Sequence, residues 1–194
     1  MIGIIDYGAG NVRSVSNALK SLDVDHCIGG TVAELSAASK LILPGVGEAR
    51  SAMTSLENVG LLEWLRSASV PFLGICLGMQ LLFERTAERE TPCFGIAGGT
   101  VKRFNNSVKV PHMGWNTVEI LAEDPLFRGL RDREYFYFIH SYCAPVAKET
   151  TAVTDYGRRF SSAVRIRNFR GVQFHPEKSG EAGLRLLSNF VKLC

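Results

Sequence analysis

Short apolar runs alternate with stretches of helical spacing along the first part of the chain. The runs at residues 2–5, 41–43 and 70–75 are too short for helices, so we predict buried strands there. Residues spaced as on one face of a helix follow each run: Val12, Val15, Ala18, Leu19 and Leu22, then Met53, Leu56, Val59, Leu61, Leu62 and Leu65, then Leu77, Gln80, Leu81 and Glu84. Strands and helices in alternation predict a parallel sheet with right-handed crossovers.

The pattern changes after Glu90, where short β-rich segments replace the alternation. They lie at 100–104, 115–121, 134–142, 151–156, 162–166 and 171–174, with turns at 105–106 and 167–170. We interpret them as antiparallel strands added to or packed beside the parallel core. Residues 181–193 have helical spacing and predict a closing helix. The expected fold is α/β, a mostly parallel sheet flanked by helices with added antiparallel strands, in a single domain over 1–194.

Composition and charge are those of an ordinary globular protein and favour no special partner. The chain has 46% hydrophobic and 21% charged residues and a net charge of +3, which are ordinary values for a globular protein. Its basic residues cluster only weakly around 158–170, so nucleic-acid binding is not favoured. No apolar stretch has membrane-spanning length, and the N-terminus enters a strand without a basic signal region. Five widely spaced cysteines without a C-x-x-C motif indicate a reduced, cytoplasmic protein.

One cysteine lies where a predicted strand turns into a predicted helix. Gly74 and Gly78 flank Cys76 in a G-x-C-x-G pattern, the cysteine version of a nucleophile elbow. Small flanking residues permit the tight turn, and the following helix would direct free N–H groups and a positive dipole end at the sulfur. That environment favours the reactive thiolate. The alternative is a buried structural cysteine, but the two glycines favour a nucleophile.

A cysteine nucleophile needs a base, and the base needs an orienting acceptor. The chain has four histidines. His175 directly follows a predicted strand that Pro176 prevents from continuing, and Glu177 comes two residues later. We therefore predict that Cys76, His175 and Glu177 form a catalytic triad. His26 lies near a predicted strand without an acidic partner in a suitable place, and His112 and His140 lie in β-rich segments.

Two other patterns are too incomplete to predict a cofactor or metal. Gly8-Ala9-Gly10 begins a dinucleotide fingerprint, but Arg13 stands where the third glycine belongs. His140 and Cys143 have no second ligand pair for zinc. We expect neither a cofactor nor a metal.

Three motifs occur together: Leu43-Pro44-Gly45-Val46-Gly47, Gly74-Ile75-Cys76-Leu77-Gly78-Met79-Gln80 and Gln173-Phe174-His175-Pro176-Glu177. In this order and spacing they resemble the class I glutamine amidotransferases. The segments 5–11 and 111–116 narrow the resemblance to the glutaminase subunits of imidazole glycerol phosphate synthases. This resemblance covers nearly the whole chain. One departure is Glu48-Ala49-Arg50, where that family often has an aromatic residue.

The resemblance implies a glutaminase that hydrolyses glutamine through a cysteine thioester, with Cys76 as nucleophile, His175 as base and Glu177 as its orienter. Donors for the oxyanion would come from Leu77 and from Gly45 and Val46. Glutamine would be bound by Gln80, His140, Ser141 and Tyr142. The ammonia would pass to a synthase (cyclase) subunit that makes imidazole glycerol phosphate and AICAR, in a heterodimer contacted through Met113, Gly114 and Trp115.

Three alternatives remain open from the sequence. The chain could supply ammonia to another acceptor enzyme, such as a sugar amidotransferase. It could be a cysteine peptidase or γ-glutamyl hydrolase on the same fold. A catalytically dead assembly subunit is the third, although the intact triad argues against it.

Overall fold

A mixed sheet of nine strands forms the centre of the protein, and the computed structural model describes all of residues 1–194. The strands of the whole chain are β1 (Ile2–Ile5), β2 (His26–Gly29), β3 (Lys40–Gly45), β4 (Phe72–Cys76), β5 (Phe83–Thr86), β6 (Thr91–Pro92), β7 (Ala97–Arg103), β8 (His112–Ile120), β9 (Glu134–His140), β10 (Tyr142–Cys143), β11 (Thr150–Asp155), β12 (Arg159–Ile166) and β13 (Phe169–Val172). The helices are α1 (Val12–Ser21), α2 (Val32–Leu35), α3 (Ala49–Asn58), α4 (Leu62–Arg66), α5 (Leu77–Gln80) and α6 (Gly180–Leu193), with 3₁₀ turns at Glu88–Glu90, Pro125–Phe127 and Pro176–Lys178.

The large sheet has the order β2-β1-β3-β4-β13-β12-β11-β8-β9. Its first five strands pair in parallel, and the remaining four are joined by antiparallel pairs. The expected α/β fold with added antiparallel strands is therefore confirmed. The predicted direction of one strand is wrong: the sequence analysis counts the segment of β13 among the antiparallel strands, but β13 runs parallel to β4. A short apolar run reports burial but does not encode the direction of its neighbour.

The prediction of a helix from Leu77 through Glu84 is wrong beyond its first turn. The helix α5 ends at Gln80, and the chain enters β5 three residues later. The backbone oxygens of Leu81 and Leu82 accept hydrogen bonds from residues 94, 96 and 97 instead of from a continuing helix. Both leucine side chains are fully buried, so tertiary pairing overrides the helical spacing here.

Four strands form a second sheet with the order β10-β7-β5-β6. The sequence analysis did not predict that these strands form a sheet of their own. The structure also adds α2, which the sequence analysis did not predict. Most other boundaries agree within a few residues, and the closing helix is confirmed as α6. The turn predicted at 167–170 occupies only Arg167 and Asn168, since β13 begins at the next residue.

Hydrophobic clusters cover both faces of the large sheet. One contains side chains of α1 and α6, such as Leu19 and Phe190, while the other contains side chains of α3 and α4, such as Leu56 and Leu65. This double coverage explains why the parallel strands read as continuous apolar runs. None of the six helices is both long and apolar enough to cross a membrane.

Candidate active site

Cys76 occupies a strained turn between β4 and α5. Its φ and ψ are 55° and −108°, a left-handed backbone conformation that is uncommon for a residue with a side chain. The two flanking glycines are required by close backbone contacts. A Cβ on Gly74 would lie 2.5 Å from the carbonyl oxygen of Gly78, and one on Gly78 would lie 2.0 Å from that of Leu43. The predicted sharp turn is present, but the one-turn α5 gives less helix dipole than we expected.

His175 is held in the turn that follows β13. Its backbone N–H donates to the Tyr137 carbonyl at 2.9 Å, which ties the turn to β9. The Ser179 hydroxyl donates to the His175 carbonyl at 2.6 Å and accepts from the Tyr137 N–H at 3.0 Å. The imidazole therefore stands on a backbone fixed from two sides. Such fixation is what a base in a nucleophilic site requires.

The two ring nitrogens of His175 face different groups. Nδ1 lies 2.8 Å from Oε1 of Glu177, and both side chains are almost completely buried. Nε2 is buried without a hydrogen-bond partner of ordinary geometry, and Cys76 is close enough to act on the charge of the ring. Burial by itself lowers the pKa of His175, but hydrogen bonding and charge from Cys76 and Glu177 outweigh burial and raise that pKa to about 10. The imidazolium form of His175 is therefore favoured.

Asn11 is a further member of this group that sequence reasoning missed. Its Nδ2 donates to Oε1 of Glu177 at 3.0 Å, so this oxygen accepts from both Asn11 and His175. Asn11 lies in the loop after β1, at the same edge of the sheet as Cys76. The segment 5–11 entered the family resemblance, but no local pattern indicated a contact with Glu177.

A cavity of about 410 Å³ opens beside Cys76 and gathers most of the predicted substrate-binding residues. It is lined by Val46, Gly47, Cys76, Leu77, Gln80, Glu88, Arg103, Pro111, Ile139, His140, Ser141 and Tyr142. Gly45 is absent from the lining but pairs with Cys76 in the β3–β4 register. A larger groove of about 530 Å³ near Asp124 contains no nucleophile, and Asp124 is committed there to ion pairs with Arg170 and Arg165.

Two charged side chains of the cavity were not predicted. Glu88 and Arg103 come from a 3₁₀ turn and from β7, and they bring a carboxylate and a guanidinium to the same space. Opposite charges in one cavity are complementary to a zwitterionic amino acid. No sequence signal identified them, because each is a single charged residue in a polar segment.

His140 lines the cavity, but both of its ring nitrogens are already engaged. Nδ1 lies 2.7 Å from the Tyr142 carbonyl and Nε2 lies 2.9 Å from Nδ1 of His112. Burial lowers the pKa of His140 to about 3 and that of His112 to about 4, so both rings are neutral at pH 7. A ligand in the cavity would therefore meet the backbone of this segment and Ser141 rather than a free imidazole nitrogen. No three His, Cys, Asp or Glu side chains lie together in a way that could hold a metal ion.

The residues assigned to a partner interface lie on the outermost strands of the large sheet. Met113 and Trp115 of β8 are 59% and 57% exposed, and Tyr135 of β9 is 57% exposed. Gly114 lies between the first two with a φ of +132°. These four residues, of which Gly114 is half-buried and the other three are exposed, are here called the β8–β9 patch. Large exposed side chains of these types are typical of protein–protein interfaces.

The fold and the sequence together define a class of protein. The model of the family "Glutamine amidotransferase class-I" matches residues 3–194, and the chain belongs to this family. A crystal structure described as glutamine amidotransferase superimposes with a TM-score of 0.77, covering 99% of this chain and 97% of that one at 22% identity.

Close relatives narrow the assignment to one branch of the family. The chain is 48% identical to imidazole glycerol phosphate synthase subunit HisH of Bacteroides fragilis strain YCH46, over 99% of each sequence. It is 47% identical to the protein of the same name from Methanocaldococcus jannaschii, over 100% of each. This similarity favours the imidazole glycerol phosphate synthase branch over a paralogue that supplies ammonia to another acceptor enzyme, such as a sugar amidotransferase.

Proposed function

We propose that the chain is the glutaminase subunit of an imidazole glycerol phosphate synthase, hydrolysing glutamine to glutamate and ammonia. The observation that carries the proposal is the position of Cys76, strained and at the wall of a cavity, beside a buried His175–Glu177 pair. Full-length similarity to HisH subunits supports the same branch. The peptidase and inactive-subunit alternatives gain no support from these observations.

In the proposed reaction, His175 accepts the thiol proton and the Cys76 sulfur attacks the amide carbon of glutamine. Charge then develops on the amide oxygen, which needs N–H donors. The Leu77 N–H and the Gly45–Val46 segment adjoin Cys76 and are our candidates for this oxyanion hole. His175 next returns its proton to the departing ammonia, leaving a thioester. Water activated by His175 hydrolyses the thioester and releases glutamate.

The cavity offers a group for each end of the substrate. Glu88 is the candidate acceptor for the α-ammonium group, and Arg103 together with the Ser141–Tyr142 backbone would receive the α-carboxylate. Gln80 donates both side-chain N–H groups to protein acceptors, to the Tyr142 carbonyl and to Oε1 of Gln173, each at 2.9 Å. Its own Oε1 is therefore the atom left to meet glutamine, as an acceptor.

We propose further that a synthase subunit docks on the β8–β9 patch. Two measurements test the function. The full chain is mixed with a synthase (cyclase) subunit, and glutaminase turnover is measured with and without that subunit and its acceptor substrate. Stimulated, glutamine-dependent product formation is expected. Turnover of peptide bonds instead of glutamine would contradict the proposal.

The docking surface has its own matched pair of variants. Trp115→Ala should weaken subunit binding roughly tenfold or more, since exposed aromatic anchors dominate interface energies. Val59→Ala removes another exposed apolar side chain, 42% exposed at the end of α3, and should leave binding unchanged. Equal effects of the two substitutions would locate the interface elsewhere.

A further inference from the structure

One side chain outside the proposed triad touches the nucleophile. Nε2 of Gln173 lies 3.6 Å from Sγ of Cys76, within the range of an N–H···S hydrogen bond. Gln173 is completely buried, and its backbone N–H is fixed at 2.9 Å on the Ser162 carbonyl. We propose that Gln173 is a further catalytic residue, which donates its side-chain N–H to the Cys76 thiolate. This inference rests on the proposed function and adds a donor to its nucleophile.

The carbonyl oxygen of Tyr142 determines which end of the Gln173 amide faces the sulfur. A carbonyl oxygen can only accept, so the Gln80 group 2.9 Å away must be the NH₂. The same nitrogen lies 2.9 Å from the Gln173 amide, which must therefore present its oxygen there. The NH₂ of Gln173 is left to face Cys76. A flipped Gln173 would place two donors against each other.

A second row of hydrogen bonds ends on the same carbonyl and anchors it. Nδ1 of His140 must donate to the Tyr142 oxygen, at 2.7 Å, so Nε2 of this neutral ring accepts. His112 then donates from Nδ1 to His140 at 2.9 Å and accepts at Nε2 from the Asn116 amide at 3.3 Å. The Asn116 orientation is fixed in turn, because its oxygen accepts the Thr117 N–H at 2.8 Å. Every donor and acceptor in the row is thus consistent with one orientation.

The donor from Gln173 matters most after Cys76 loses its proton. The neutral thiol can donate to the Ile139 carbonyl at 3.7 Å, but the thiolate cannot. The N–H of Gln173 then offers the sulfur a charge-assisted hydrogen bond, which is stronger than a neutral one. Attack forms the S–C bond and moves an electron pair to the substrate oxygen, so the sulfur charge disappears during the step. Gln173 therefore raises the amount of reactive thiolate before attack.

Several titratable groups face Cys76 and must be held constant in any pH experiment. They are His175 from the turn after β13, Tyr7 from the loop after β1, and Glu88, Arg103 and His140 around the cavity. Substitutions at Gln173 leave all five in place, so a change in the pH profile reports on the amide itself.

The test measures Cys76 alkylation by iodoacetamide in the full chain across a range of pH, with the site identified by peptide mapping. Gln173→Met keeps the length of the side chain and removes the donor. Its alkylation profile should shift to higher pH by roughly half to one unit, which corresponds to one lost hydrogen bond. Rates should converge with those of the native chain at the alkaline end. Thr154→Val is the control, because it deletes another buried hydrogen-bonding hydroxyl, on the nearby strand β11. Its profile should stay in place.

Gln173→Glu provides a second variant with the native shape. Its carboxylate can still accept from Gln80 but repels a thiolate, so the profile should shift at least as far as in Gln173→Met. Long-range ¹H–¹⁵N spectra should also place the protons of His112 and His140 on Nδ1. An unshifted profile in both folded variants would overturn the proposal. Glutamine turnover by the assembled protein is measured separately, so shifted profiles without any glutaminase activity would overturn the proposed function and leave the Gln173 contact standing.

Discussion

Val172 lies opposite Ile75 in the parallel pair formed by β13 and β4. Because the strands run in the same direction, the chain leaves both at the same edge of the sheet. One continues directly to Cys76 and the other, after Gln173 and Phe174, to His175. Two residues 99 positions apart (175 minus 76) are thereby brought to one site. Carboxyl edges of parallel strands are where α/β proteins commonly bind ligands.

The first prediction is selective labelling of Cys76. A glutamine-shaped electrophile should modify Cys76 before Cys27, Cys93, Cys143 and Cys194. Burial raises the pKa of both Cys93 and Cys143 to about 11, so these two remain thiols at neutral pH and are unreactive. Peptide mapping of the labelled chain identifies which cysteine is modified. Modification mainly at another cysteine would end the nucleophile assignment, and slower labelling in His175→Ala is expected if that residue is the base.

The second prediction separates orientation from proton transfer at Glu177. Glu177→Gln should reduce glutamine turnover less than His175→Ala, since a neutral amide can still accept from Nδ1 but stabilises imidazolium poorly. An NMR titration of the variant should show a lower pKa for His175 than in the native chain. The native Oε2 is buried without a partner, so a new NH₂ there costs on the order of 1–2 kcal/mol of stability. Both variants must therefore be shown to be folded, and equal losses of turnover would contradict the ranking.

The third prediction concerns the glycine elbow. In Gly78→Ala the new Cβ would meet the Leu43 carbonyl, and the free energy of unfolding should fall by about 2–3 kcal/mol or more. Gly98→Ala is the matched control, because its Cβ would meet nothing within 4 Å. Chemical denaturation should find the control within about 0.5 kcal/mol of the native chain. Similar losses in both would show that the elbow is not tightly packed.

The sequence allowed the parallel core and the proposed triad to be predicted for the same reason. Both leave local signals, namely apolar runs for the strands and short motifs around Cys76 and His175. The direction of β13 and the early end of α5 leave no local signal in the sequence, because each depends on which distant segment supplies the pairing partner. Local periodicity records burial and cannot identify that partner.

The unpredicted members of the site share this property. Asn11 lies 166 positions from Glu177, and Gln173 lies 97 positions from Cys76. The roles of these amides depend on the fold, which brings Asn11 to Glu177 and Gln173 to Cys76. Glu88 and Arg103 give no signal in the sequence, because only the folded chain places them in the cavity. Contacts over such separations are decided by topology, so a motif search finds the nucleophile and base but misses the groups that surround them.

The fourth prediction follows from the neutral pair His112 and His140. Their pKa values, about 4 and about 3 in the folded chain, lie below the ordinary unfolded value of roughly 6.5. Above that value neither state binds the proton and the folded state is favoured. Below it the unfolded chain binds more protons than the folded chain, so the free energy of unfolding falls as the pH drops from about 6.5 toward 4. Each of the two histidines contributes on the order of 1 kcal/mol for each pH unit. Denaturation curves at several pH values should show a smaller acid slope for His112→Phe than for the native chain. An unchanged slope would contradict the burial argument.

The last prediction tests whether glutamine hydrolysis can be separated from use of the ammonia. Cys76→Ala removes the proposed nucleophile with little change in volume at the elbow, so folding and binding to a synthase subunit should survive. The assembled variant should lose glutamine-dependent product formation almost entirely. Ammonium salt at alkaline pH, where free ammonia is abundant, should restore the product, because the synthase then receives its nitrogen without the glutaminase. Cys143→Ala provides the control, since it alters a fully buried cysteine outside the cavity lining and should keep glutamine-dependent activity. Failure of ammonium to rescue a correctly assembled Cys76→Ala complex would mean that Cys76 does more than release ammonia, and persistent glutamine use would make the site assignment wrong.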